Sequence, residues 1–124
     1  MNKQLIVCMV AVVGVIVAIF IYREASISQS SIFNAIEKKV SSKMKDPSSV
    51  IFMDVKVYST KKIDDREEMK VCGLVNAKNS YGAYAGSRMF FSSIVIDGYK
   101  VEVSSVIISN SIEEDKAILQ MCNN

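Results

Sequence analysis

The sequence has no histidine, which removes the commonest general base and the commonest side-chain metal ligand together. Three cysteines are present but no Cys-x-x-Cys pair, so a zinc site is not expected. An excess of charge of one sign is also lacking: 15 basic against 13 acidic residues leave a formal net charge of +2. No basic stripe interleaved with aromatics stands out, and a nucleic-acid partner is therefore not expected. The glycines are spaced neither as a P-loop nor as a dinucleotide fingerprint. Internal repeats and low-complexity tracts are absent. Together these absences predict no metal, no cofactor and no catalytic residue, and so a protein that is not an enzyme.

What is present starts with a long apolar run. Residues 5–22 (LIVCMVAVVGVIVAIFIY) carry no charge and as a helix would rise about 27 Å, close to the roughly 30 Å hydrocarbon core of a bilayer. Gly14 is tolerated in such a helix, Tyr22 suits an interface, and Arg23 and Glu24 stop the run. A cleaved signal peptide would need small residues before the cut, and Arg23, Glu24 and Ala25 do not supply them. A lipoprotein would need small residues ahead of Cys8, which instead follows Leu5, Ile6 and Val7. The expectation is a single-pass signal anchor over residues 1–24 in the inner (cytoplasmic) membrane. A spacer (25–31) and one α+β domain (32–124) follow, held outside the cytoplasm. The positive charges flanking the run are too balanced to fix its orientation; the short basic start followed by an apolar run favours an N-in, C-out arrangement.

The cysteines agree with export. Cys8 lies in the apolar run and reads as a small hydrophobe, which leaves Cys72 and Cys122 as an even pair. In an oxidising compartment the two are expected to bridge, and closing a loop of about 50 residues is worth roughly 4 kcal/mol in the chain-entropy treatment. The alternative is two unrelated buried thiols.

Along the rest of the chain, Ile32, Phe33, Ile36, Val40 and Met44 fall near the helical period with Glu37, Lys38, Lys39 and Lys43 opposite. Ser30 or Ser31 can cap this helix, and Pro47 ends it. Residues 50–58 read as a strand with Met53, Val55 and Val57 on one face. Residues 59–68 read as a charged, mobile connection, and residues 69–75 and 88–96 as further strands. Asp97 and Gly98 then make a two-residue hairpin turn into a fourth strand over 99–108. Ser111 and Glu114 form a capping box for a last helix with Ile112, Ile118, Leu119 and Cys122 on one face. The predicted class is α+β: an N-terminal transmembrane helix, then a helix, a four-stranded antiparallel sheet and a helix, with the helices on one face of the sheet.

The loop over 76–88 is the most unusual stretch. Asn76, Lys78, Asn79, Ser80, Tyr81, Tyr84 and Arg88 together offer directed hydrogen bonds and rigid aromatic area, as recognition loops do. The plainer alternative is a long β-connection whose asparagines close turns. Ser80 with Lys78 is a weak candidate nucleophile and base. Asp64, Asp65, Glu67 and Glu68 form an acidic cluster, which among Lys61, Lys62 and Arg66 reads as a solvated loop. The basic face of the helix over 32–44 is a further candidate for contact with anionic headgroups.

Two stretches resemble a group of small uncharacterised bacterial and phage-borne envelope proteins, membrane-anchored or lipoproteins. Residues 45–52 (KDPSSVIF) are similar to that group's KDP-S-x-x-F junction between a helix and a strand. Residues 72–86 (CGLVNAKNSYGAYAG) are similar to its CG-x-VNAKNSYGxYxG block, followed by an aromatic, here Phe90 or Phe91. Cys122 matches a cysteine near the group's C-terminus. The likeness runs from residue 31 onward and departs at Leu74, where the group has an acidic residue. It implies export and a phage or mobile-element origin, carries no activity with it, and marks 76–86 as the first place to mutate. The leading expectation is thus a non-enzymatic, extracytoplasmic interaction protein with an envelope protein partner and a membrane contact through residues 5–22. An envelope-acting enzyme using Lys78, Ser80 or the acidic cluster is the second reading. A pilin-like subunit is the third, and it lacks the Gly-Phe processing site and the glutamate such subunits carry.

Overall fold

The computed structural model describes residues 2–24 and 27–124, the side chains of 20–24 excepted. Its elements run α1 (Lys3–Glu24), α2 (Gln29–Ser41), a 3-10 turn (Pro47–Ser49), β1 (Ile51–Ile63), β2 (Arg66–Asn76), β3 (Arg88–Asp97), β4 (Lys100–Ile108) and α3 (Ile112–Asn123). The four strands form one antiparallel meander in the order β1-β2-β3-β4, as the short turns between them dictate.

The expectation of a membrane-spanning anchor over 5–22 is corrected. No helix among the described residues is long and apolar enough to cross a membrane. The side chains of Tyr22, Arg23 and Glu24, expected to end that run, lie outside the described residues, as do residues 25 and 26 of the expected spacer. α1 has no substantial packing against the sheet, and most of its large apolar side chains are exposed.

α2 begins inside the expected spacer. The Ser28 side chain caps it by accepting from Ser31 N, so the helix starts at Gln29. Its buried stripe Ile32, Ile36 and Val40 follows the i, i+4, i+8 spacing of one helix face. That stripe packs on Val71, Val75, Phe90, Ile94 and Ile96 to form the main core, with Phe52 and Phe90 edge to face at 5.8 Å.

The second helix lies on the other side, which corrects the one-face arrangement. Ile118 and Cys122 of α3 pack with Cys72 and Phe91 in a separate small cluster, and Cys72 and Cys122 are joined by a disulfide with their Cα atoms 6.4 Å apart. Side chains alternate across a strand, so Val71 and Cys72, like Phe90 and Phe91, must face opposite ways. Ile112 and Leu119, expected on the buried face of α3, are exposed at 70% and 45%. The capping box is also altered: Ser111 Oγ accepts from Glu114 N at 3.2 Å, while Glu114 Oε2 accepts from Asn110 N at 2.6 Å instead of from its cap.

The expected mobile connection over 59–68 is mostly strand. β1 and β2 stay paired out to Ile63 and Arg66, leaving Asp64 and Asp65 as a two-residue turn. Asp64 takes φ +53°, a conformation aspartate tolerates better than most residues. Lys61 and Lys62 lie opposite Glu68 and Glu67, cross-strand pairs of opposite charge that favour the longer hairpin. The β3–β4 turn is Gly98 and Tyr99, because Asp97 pairs with Lys100, one residue later than expected. Met53, Val55 and Val57 do not share a face. Asp54 and Val55 form a bulge between the Met53–Leu74 and Lys56–Cys72 pairs, which sends Val55 to the α2 side.

Candidate functional site

The 76–88 loop closes the end of the sheet where β2 gives way to β3. Lys78 and Tyr84 form an isolated antiparallel bridge, so the two strands keep company beyond the sheet before the chain reverses. The reversal is built on Asn79. Its N–H donates to Ala83 O at 2.8 Å and its carbonyl accepts from Gly82 N at 3.0 Å. Its side-chain oxygen accepts from Tyr81 N at 2.9 Å and Ala83 N at 3.1 Å. Asparagine suits this place because its short amide can stand in for a turn of backbone. Gly82, at φ +79°, supplies the conformation other residues resist.

The loop is fastened to the 3-10 turn ahead of β1. Lys78 N donates to Ser49 Oγ at 2.9 Å, and the Tyr84 hydroxyl donates to the Ser49 carbonyl at 3.0 Å. Ser49 Oγ in turn donates to Asp46 O at 2.9 Å. Asp46 caps the turn, accepting from Ser48 Oγ at 2.6 Å and Ser48 N at 3.2 Å. The Ser48 hydroxyl above all, with the Ser48 and Ser49 amides and the nearby Lys78 charge helping, holds the Asp46 carboxyl below its ordinary value of 3.8. The two stretches singled out in the sequence, 45–52 and 72–86, are therefore halves of one hydrogen-bonded unit. Ser49 is the residue that sequence reasoning missed; its place in the first stretch, four residues past Lys45, was the available signal.

The expected site residues divide by role. Tyr81 stands at the tip, 94% exposed. Ser80 is exposed beside it. Tyr84 is a strut, its hydroxyl bonded and its ring 5.8 Å from the Lys78 ammonium. Asn79 is framework. Asn76 ends β2, with its side-chain oxygen buried and unpartnered. Arg88 opens β3, its guanidinium donating to Asn110 Oδ1 at 3.1 Å. Lys78, Asn79 and Arg88 also share a cleft of about 160 Å³ with Lys43 and Lys45.

Asp64, Asp65, Glu67 and Glu68 sit at the opposite end of the sheet, at and beside the β1–β2 turn, where Arg66 pairs with Asp97 at 3.2 Å. The structure thus does not bring the acidic cluster to the loop. Among the described residues no three His, Cys, Asp or Glu side chains are grouped to hold a metal ion. No protein-family model matches the chain, and neither a curated protein nor a solved structure matches it.

Proposed function

We propose that this is a non-enzymatic binding domain working outside the cytoplasm, which engages a protein partner through the tip of the 76–88 loop. The observation that carries the reading is Tyr81, held almost fully exposed at 94% on a loop whose own hydrogen bonds leave it little freedom. A tyrosine in that position offers broad, amphipathic contact area at low entropic cost, and a pre-ordered loop reduces the cost of binding further. The Cys72–Cys122 disulfide supports an oxidising location.

The test is crosslinking and affinity capture from envelope fractions of the native cells, comparing the wild type with Tyr81→Ala. Tyr81 makes no side-chain contact on which folding depends, so its unfolding midpoint should stay unchanged while capture of the partner falls roughly tenfold or more, the loss typical of an exposed aromatic anchor. Undiminished capture by a folded Tyr81→Ala variant overturns the proposal. Tyr84→Ala is the contrasting variant: it removes the hydroxyl bond to Ser49 and should weaken both capture and stability.

A further inference from the structure

Beside the loop, four cationic residues line one small cleft, and no acidic residue lines it. Lys43 and Lys45 come from the connection after α2, Lys78 from the loop and Arg88 from the start of β3, and all four line the same space of about 160 Å³ with Asn79 and Gly86. Three separate stretches of chain bring these charges together, and none of the four is in an ion pair among the described residues. Like charges gathered in this way repel one another, and an arrangement that holds them together is most comfortable with an anion between them.

The individual groups suit an oxyanion. Arg88 is steadied by a neutral partner, Asn110 Oδ1 at 3.1 Å, which fixes the guanidinium without neutralising it and leaves its other N–H donors for a ligand. A planar fork of that kind grips two oxygens of one anion. Lys78 has its backbone pinned by Ser49 Oγ at 2.9 Å, so its side chain leaves from a fixed point. Asp46, whose carboxyl feels the Lys78 charge, makes its hydrogen bonds to Ser48 and does not line the cleft. Gly86, at φ +97° with open space where a Cβ would stand, keeps that wall bare. The volume equals that of about five liquid waters, enough for a tetrahedral oxyanion with residual hydration.

We infer that the cleft formed by Lys43, Lys45, Lys78 and Arg88 is a binding site for a doubly charged, phosphate-class oxyanion. This site is distinct from the Tyr81 tip, and the inference does not depend on the protein-docking role of that tip. The free anion and a phosphate monoester at the end of a small molecule share the chemistry, and the experiment separates them.

The experiment is a titration of the full chain, followed by backbone amide chemical shifts at constant ionic strength. The probes are inorganic phosphate, glycerol phosphate and acetate. Saturable shifts at Lys78, Asn79, Gly86 and Arg88 are expected with inorganic phosphate, with glycerol phosphate or with both, and the tighter of the two identifies the source. Arg88→Gln and Lys78→Gln should each weaken binding roughly tenfold, the worth of one charge-assisted contact, while Lys61→Gln on the distant hairpin leaves it unchanged. Shifts that never saturate overturn the inference. So does acetate binding as tightly as phosphate, or a Lys61→Gln effect equal to that of Arg88→Gln, since general surface charge would then account for the response.

Discussion

Gly73 lies where the β1 bulge presses closest on β2. A Cβ at this position would stand 2.9 Å from the Phe90 ring and 3.0 Å from the Val55 backbone, and neither has room to retreat, because Phe90 is fully buried and Val55 is held between the paired residues Met53 and Lys56. Gly73→Ala should therefore destabilise the domain by about 1–3 kcal/mol, the usual cost of overpacking a filled core. Thermal unfolding measures it, and an unchanged midpoint would show that β1 can move away. The bulge itself was hidden in the sequence. Met53, Val55 and Val57 alternate as a regular strand would, and only the positive φ of Asp54, a backbone property, reveals that Met53 and Val55 part to opposite faces. Cys72 and Cys122 were legible for the opposite reason: they are the only cysteines after the apolar run, so few pairings were open.

At the scale of elements, helix and strand order followed from periodicity, but the helix placement did not. The residues that could have decided it are the uninterrupted apolar stretches of β2 and β3. Val71 and Cys72, and again Phe90 and Phe91, are adjacent and buried, which in a sheet means cover on both faces. Runs of that kind point to a helix on each side, and α2 and α3 supply them. The loop was legible as a place but not as a mechanism, because the bonds through Ser49 join residues 29 and 35 positions apart. Its foundation responds to pH. The Asp46 carboxyl is lowered, first by the Ser48 hydroxyl, so the ionised form is the one the fold favours. Its stabilising contribution is fully present above its ordinary value of 3.8 and is lost as pH falls through its lower folded value. Asp46→Asn should thus be less stable than wild type at neutral pH, and the gap should close in acid, at a pH well below 3.8. Chemical denaturation at the two pH values checks this; a gap that persists unchanged in acid would assign the effect to lost shape instead of lost charge.

Taken whole, the molecule is a two-sided sheet with unequal covers. α2 closes the main core with three buried side chains, whereas α3 buries only Ile118 and the cystine half Cys122. Full burial of one isoleucine is worth about 1.5–3 kcal/mol, little against the entropy of ordering a 12-residue helix. The disulfide is consequently what keeps α3 in place. Bridging residues 50 apart stabilises by roughly 4 kcal/mol in the chain-entropy treatment, and reduction should remove up to that amount. The loss should be uneven, because the α2 core shares no buried residue with the α3 cluster. Hydrogen exchange with and without a reductant separates the cases. Under reduction the amides of α3 should lose protection first, with β2 and β3 still protected beneath α2. If protection instead fell equally across all elements, the α3 cluster and the main core would be one cooperative unit, and the bridge would hold the whole fold in place of one helix.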